Sequence, residues 1–303
     1  MVPKMPPFVK EIEVRGAKYV VREPMNPEEH RDLMEVEKAI WGGECYAETV
    51  PYHVSIALQE IGGLVLGIYE KSTNKLIGVL VTFPAIIEGK LALYSHMHGY
   101  IEGYRGKGIG LEVKKIQRDY AKSLGVDLIV WTYDPLLAPN AWFNIVKLGA
   151  IFRRYSPNHY GRMNVFYNVG IETDRVWAEW YIDSERVTKR LSGWKPKSVE
   201  YFIKRGAKVV LEASPRTDGL LEPRKVDLGS RSPLVLMEIP NNFTDILSRD
   251  KELANKWRRE SRRVFTHYLA RGYVGFEVVK SNGRFYYVLW RNVLDKILDG
   301  EYP

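Results

Sequence analysis

"GYIEGYRGKGIGLEVKKIQRDYAK", residues 99–122, is the stretch whose reading decides the fold. Glycines 106, 108 and 110 leave the backbone without Cβ atoms and able to take positive φ, so consecutive N–H groups can turn toward one anion. From Gly108 onward Ile109, Val113, Ile116, Tyr120 and Leu124 recur every three or four residues. That spacing predicts an amphipathic helix beginning inside the glycine run, with Lys114, Lys115, Arg118 and Lys122 on its surface. The electropositive helix end and the charges of Arg105 and Lys107 complete a cradle for a diphosphate.

Two familiar loops fail against these residues. A P-loop follows Gly-Lys with Ser or Thr to hold magnesium, and here Gly106-Lys107 is followed by Gly108. A dinucleotide fingerprint is G-x-G-x-x-G after the first strand of a strand-helix-strand unit, and this run is G-x-G-x-G.

Working outward, "AKYVVRE" (17–23) reads as a strand, Pro27 opens a helix carrying Leu33, Val36 and Ile40, and Pro51 opens a second, short one. "GGLVLGIYE" (62–70) and "KLIGVLVTF" (75–83), separated by "KSTN", predict an antiparallel hairpin, and "LALYSHMHGYI" (91–101) adds a third strand. After the long helix come a stop at Gly125, the strand "DLIVWTYD" (127–134), and a helix from Pro139 through Leu148 that ends at Gly149. "AIFRRYSPNHYGRMNVFYNV" reads as two strands joined by a turn at 156–158. The order implies a mixed, mostly antiparallel α/β (α+β) sheet flanked by helices. Beyond it, "RVWAEWYI", "AKVVLEA" and "PLVLMEI" read as strands, residues 251–272 as a long helix, and "YVGFEVV" with "GRFYYVLW" as a hairpin. Helix, glycine, strand, turn and aromatic strand repeat the order of residues 138–169, the pattern of a decayed internal duplication.

"RGKGIG" matches R/Q-x-x-G-x-G/A, and with Arg105, Gly108 and Gly110 in the defining places the region resembles the GCN5-related N-acetyltransferase (GNAT) superfamily. In that superfamily the loop follows the fourth strand of a meander and opens a helix; a fifth strand and a helix ending in "LG" follow, as in "KLGAIFRRY". The resemblance covers about residues 17–169. It implies a GNAT acyl-CoA-binding domain over 1–170 and a C-terminal α/β domain over 171–303 that reads as a degenerate GNAT-like half. It also implies that acetyl-CoA, as acyl donor, lays its pyrophosphate on the N–H groups of Lys107, Gly108, Ile109, Gly110 and Leu111 beside Gly106. Arg105, Lys107 and Lys114 would neutralise phosphate, backbone groups of Tyr100 and Ile101 would bond the pantetheine and thioester, and Asn140 would approach the cofactor arm.

Amine attack on a thioester needs a neutral amine and a proton donor for the departing thiolate. Strand alternation puts Tyr94, His96, His98, Tyr100 and Glu102 on one face and Leu93, Met97 and Ile101 on the other, with Gly99 as the place for a bulge. His98 and Glu102 are the preferred base candidates, His96 the next. Asp134, ending the fifth strand where the two strands should splay, either binds the acceptor amine or caps the turn that follows it. The superfamily's tyrosine proton donor falls on Ile145 here, so Tyr133, Tyr155 or Tyr160 would substitute, or the thiolate leaves unassisted.

Forty-five per cent apolar residues in 303 suffice for a full core. The net charge of +8 suits an anionic ligand but is scattered along the chain. Glutamine occurs only at Gln59 and Gln117 while 27% of residues are charged, the bias of a thermophilic protein. One cysteine, Cys45, allows no internal disulfide or cysteine-based zinc cluster; it is expected as a small buried side chain, and no metal site is expected. No long apolar run or leader-like N-terminus is present, so a soluble, cytoplasmic protein is expected. The expected function is acetyl-CoA-dependent transfer to a primary amine of a small molecule, with no membrane or nucleic-acid partner; a homodimer is left open. The alternatives are acetylation of a protein N-terminus or lysine, a transferase using aminoacyl-tRNA, and a non-catalytic acyl-CoA sensor or nucleic-acid-binding module.

Overall fold

Tight turns between β-branched runs build the first sheet. The structure, a computed structural model, describes residues 8–41, 46–161, 163 and 170–303, so Cys45 lies outside the described residues. β1 (Val9–Val14) and β2 (Ala17–Arg22) turn at Arg15-Gly16, both with positive φ; β3 (Leu64–Glu70) and β4 (Lys75–Ile87) turn through the expected "KSTN"; β5 (Lys90–Tyr100) follows Glu88-Gly89. The order is β1-β2-β3-β4-β5-β6, antiparallel throughout except that β6 (Leu128–Tyr133) runs parallel to β5. β1 is an element the sequence reading did not anticipate.

Alternation along the strands separates two cores. One sheet face buries Val65, Val79 and Val81 against α1 (Pro27–Trp41) and α2 (Tyr52–Glu60) through Leu33, Ile40 and Leu58. The other buries Leu64, Leu66, Ile68 and Leu80 under α3 (Ile109–Ser123) through Ile109, Val113 and Ile116. Each of these three helix side chains contributes on the order of 2 kcal/mol. Together they fix where the helix starts, and so where the glycine loop sits.

Packing groups residues 1–130 and 164–169 in one compact unit and residues 131–163 and 170–303 in another. The second unit starts within β6 and continues with α4 (Ala138–Ala141), which runs on as a π-helix over Trp142–Lys147, where a single α-helix was expected. Next come β7 (Ile151–Ser156), β8 (Arg175–Tyr181), α5 (Glu185–Leu191), α6 (Val199–Ile203), β9 (Lys208–Pro215), β10 (Leu221–Val226) and β11 (Leu234–Ile239). α7 (Phe243–Arg249), α8 (Lys251–Leu269), β12 (Tyr273–Ser281), β13 (Arg284–Arg291) and α9 (Leu294–Leu298) complete it. Its strands lie in the order β8-β7-β12-β13-β11-β9-β10, with β9 and β11 parallel. Asp250 caps α8 by accepting from the Leu253 amide at 2.9 Å, and Leu253, Trp257, Val264 and Tyr268 are buried as their spacing implied. β7 takes β8 as its antiparallel partner; the second strand expected after Asn158 falls largely on 162 and 164–169, outside the described residues. Among the described residues no helix is long and apolar enough to cross a membrane.

Candidate active site

The glycine loop is built as an open row of donors. Gly106 and Gly108 take φ of 72° and 100°, and Gly108 is the N-cap of the 15-residue α3. The amides of Gly106, Lys107, Gly108, Ile109 and Gly110 donate to no acceptor among the described residues. The Leu111 amide, expected to face the ligand, closes the first helical turn on Gly108 O at 3.2 Å, so the open row lies one residue earlier than predicted. Five adjacent unpaired N–H groups at the positive end of a helix suit a diphosphate by number, spacing and charge.

Arg105 does not face that row. Its Nε donates to Tyr100 O at 2.9 Å and its Nη2 to Ile40 O at 2.8 Å, so the guanidinium clamps the end of β5 to a last-turn carbonyl of α1. Lys107, exposed, lies with Nζ 4.7 Å from the Tyr104 ring centroid and is the cation on the open side. Tyr104 is itself tied to Glu70 through its hydroxyl at 3.0 Å. The backbone groups assigned to the pantetheine are already bonded: the Ile101 amide donates to Ile77 O at 3.0 Å, and Tyr100 O and Ile101 O accept from Arg105 and Tyr104.

A bulge in β5 re-sorts its side chains. Val81 opposes Met97 and Thr82 opposes Ser95, which leaves His96 as the extra residue; the bulge is here and not at Gly99. Tyr94 and His96 therefore gather with Phe83 on the α1 side, the His96 ring 5.4 Å from that of Phe83. Ser95, His98 and Tyr100 turn to the α3 side, so the single histidine–tyrosine face predicted by strict alternation does not exist. The ladder between β5 and β6 consists of Leu93↔Ile129 and Tyr94↔Val130. From Ser95 to Tyr100 the β6-side edge of β5 has no strand bonded to it among the described residues.

A buried polar cluster stands behind that edge. Lys114, expected on the surface, is 2% exposed; its Nζ donates to Gln117 Oε1 at 2.6 Å and to Ser95 Oγ at 3.3 Å, and Gln117 Nε2 donates to Thr82 Oγ1 at 2.7 Å. The periodicity of α3 put Lys114 on the surface, and the polar patch offered by Thr82 and Ser95 draws it inward instead. Burial pulls its pKa down to about 7. His98 Nε2 lies 3.0 Å from the Tyr100 hydroxyl, and burial, with the Lys114 charge adding to it, holds the imidazole down to about 3. Burial raises the Tyr100 phenol, which stays protonated. Glu102 sits exposed in the turn after β5, apart from this cluster.

The second unit holds the remaining predicted residues. Asp134 does not present a free carboxylate: Oδ1 and Oδ2 accept from Arg258 Nη1 and Nη2 at 2.8 and 2.6 Å, Arg175 stands at 3.8 Å, and the Leu136 amide donates to Oδ1 at 2.9 Å. The turn-capping contact is present, and the fork of an arginine buried to 1% exposure engages both carboxylate oxygens. Tyr133 is buried with its hydroxyl 3.3 Å from that of Tyr287, and burial raises its pKa. Tyr155 donates to Asp174 at 2.5 Å, and the Tyr160 hydroxyl lies 2.9 Å from Thr132 Oγ1. Ile145 is fully buried, and Asn140 is exposed on α4 with its amide bonded to Leu137 O at 3.0 Å. A cleft of about 390 Å³ lined by Arg22, Glu29, Asp32, Glu35 and Tyr69 shares no residue with the loop or with β5. Among the described residues no group of His, Cys, Asp and Glu side chains could hold a metal ion.

No family model matches the chain, and no curated protein matches it. Solved structures do. The ribosomal-protein-S5-alanine acetyltransferase from Vibrio fischeri is 17% identical, covers 62% of this chain and 100% of its own, and has a TM-score of 0.45. A GNAT family acetyltransferase from Elizabethkingia anophelis, solved with acetyl-CoA bound, is 14% identical over 59% of this chain and 99% of its own, with a TM-score of 0.37. The NatC complex bound to Gag peptide and CoA contains a chain 17% identical over 54% of this one and 98% of its own, with a TM-score of 0.43.

Proposed function

We propose that this chain is an acetyl-CoA-dependent N-acyltransferase of the GNAT type, acting by direct attack of a primary amine of a small molecule. The observation that carries the reading is the row of unpaired amides from Gly106 to Gly110 at the start of α3. Bound there, acetyl-CoA supplies an acyl group activated as a thioester. The five amides hold its diphosphate, Lys107 adds the full positive charge, and Arg105 keeps the loop rigid by tying it to Tyr100 and Ile40. The open edge of β5 and the bulge at His96 leave backbone donors for an acyl oxygen on which negative charge develops.

The amine must lose a proton on attack. We assign His98 Nδ1 as the atom that accepts a hydrogen bond from it, with Nε2 held by the Tyr100 hydroxyl 3.0 Å away to keep the ring in place. Being neutral throughout the ordinary pH range, His98 takes the proton only transiently. Burial, with the charge of Lys114 behind it adding to the effect, keeps the imidazole from holding the charge. Glu102, exposed in the turn, is not part of this assignment. Tyr133 stays in the proposal as a protonated phenol suited to donate to a thiolate, and Asn140 as a free side-chain amide for the cofactor arm.

Thiol release from acetyl-CoA over a panel of amines and peptides, on wild type and His98→Ala, tests the reading. We expect turnover with small amines and a fall in kcat for His98→Ala with coenzyme A affinity retained. Failure of calorimetry to detect coenzyme A binding would remove the basis of the proposal; turnover confined to peptides would replace the acceptor class.

A further inference from the structure

Charge that looks scattered along the sequence is segregated in the fold. The first unit holds 16 of the 45 Lys and Arg and 17 of the 37 Asp and Glu, a net of −1; the second holds the other 29 and 20, a net of +9. Much of that basic charge is matched locally: Arg153, Arg190, Arg216, Arg258, Arg262 and Arg284 each meet a carboxylate at 2.5 to 2.8 Å.

One end of the second unit's sheet differs. β9, β11 and β12 begin there and β13 ends there, as the pairs Val235↔Lys208, Leu234↔Trp290 and Tyr273↔Arg291 require. Its loops carry Lys204, Arg205, Lys208, Arg231, Arg271 and Arg291, the first five exposed, and none of the six pairs with a carboxylate among the described residues. The loops are bonded to one another: Ser232 Oγ to Gly206 O at 2.9 Å, Arg271 Nη1 to Leu228 O at 3.2 Å, and Arg291 N to Pro233 O at 2.9 Å. The cations are thus displayed on an ordered platform. Against them stand Asp227, whose Oδ1 accepts from the Gly229 amide at 2.8 Å, and the exposed Glu200, one turn before Lys204; Asp295 and Lys296, next along the chain on α9, cancel.

We propose that this end of the sheet docks the phosphodiester backbone of a duplex nucleic acid without reading its sequence. Three strand spacings from β12 to β9 span about 14 Å, a length of duplex carrying roughly eight phosphates, which matches six cations. A single strand would be gripped by stacking its bases on free rings. Here Tyr201 is covered by Arg205 at 3.6 Å, and Tyr273 is buried with Arg291 over it at 5.6 Å. An anionic membrane would call for apolar anchors, and among the described residues the exposed large apolar side chain beside these cations is Ile203 alone. The inference is independent of the transferase reading, since it uses no residue of the first unit.

Fluorescence anisotropy of the full chain with a labelled 20-base-pair duplex, across a salt series, tests it, beside the matching single strand and phosphatidylserine vesicles. Four to six phosphate contacts predict a log–log salt slope of roughly −4 to −5. The variant Lys204→Glu/Lys208→Glu/Arg231→Glu should bind at least about tenfold more weakly at low salt with the slope roughly halved. Lys18→Glu/Lys75→Glu/Lys90→Glu, in the first unit, should bind as wild type. Absence of duplex binding, a flat salt dependence, equal losses in both variants, tighter binding of the single strand, or binding to vesicles in place of duplex would each overturn the proposal. The wild-type salt slope decides the matter even where the triple variant does not fold.

Discussion

Replacing Gly108 with alanine separates the geometry of the glycine loop from its charge. At φ 100° and ψ −8° Gly108 occupies backbone space that residues with a Cβ rarely enter. The new methyl itself has room, its nearest neighbour being Val14 Cγ1 at 3.4 Å. The penalty is therefore conformational, about 1–3 kcal/mol. The loop either keeps its shape and lowers folding stability by that amount, or relaxes and turns the amides of Lys107 to Gly110 away from a common centre. Binding of a diphosphate holds the strained shape, so the penalty appears in coenzyme A affinity as a loss of about 5- to 150-fold. Gly125→Ala, at φ 69° with open space around it at the other end of the same helix, carries a comparable backbone cost without touching the donors. Calorimetric titration with coenzyme A and thermal unfolding should show Gly108→Ala weakened in binding and Gly125→Ala lowered in melting temperature alone. Wild-type affinity in Gly108→Ala together with an unchanged melting temperature, or equal affinity losses in both variants, would refute the argument that these amides grip the ligand.

Arg105→Lys should lower coenzyme A affinity nearly as much as Arg105→Ala, because a lysine cannot reach Tyr100 O and Ile40 O together; full rescue by lysine would show that charge alone matters. Asp134→Asn leaves Arg258 buried without its partner and should cost about 3–5 kcal/mol in urea unfolding, with Asp134→Leu/Arg258→Met recovering most of it; a loss under 1 kcal/mol would argue against a buried ion pair. Glu37, buried with the Val50 amide donating to it at 2.7 Å, has its carboxyl raised by burial from 4.5 to about 7. The folded state then holds a proton that the unfolded state has lost, so the stability linked to Glu37 is full below pH 4.5 and declines as pH rises through 7, by up to about 3 kcal/mol. Glu37→Gln should flatten that slope in denaturant titrations, and an unchanged slope would exclude it. Lys114 has the opposite sign: its pKa is depressed from 10.5 to about 7, so the associated stability is present above 10.5 and lost as pH falls through 7. Lys114→Met should raise the melting temperature more at pH 6 than at pH 9, and a gain independent of pH would mean the amine is not titrating inside the fold.

Local signals carried far in this chain. Turn residues between apolar runs placed the β3–β4–β5 meander, the three- and four-residue spacing from Ile109 placed α3, and the glycines with Arg105 marked the loop, because each depends on neighbours within a few positions. What escaped depended on partners far along the chain. The bulge at His96 is a matter of register against β4, and one extra residue was enough to send His98 and Tyr100 to the face opposite His96. Lys114 is inside because Thr82 and Ser95, 32 and 19 positions earlier, offer it polar company. Asp134 meets Arg258 across 124 positions, a pairing no motif announces. Periodicity and turn chemistry were sufficient for the β3–β4–β5 meander, α3, α8 and the glycine loop, since these are short-range consequences of backbone freedom and hydrophobic spacing, whereas β1 and the short helices α5, α6, α7 and α9 went unread. Which side chains line the edge of β5, which charges are neutralised, and where the surplus of basic residues collects were decided only when distant strands came together and burial made each polar group find a partner.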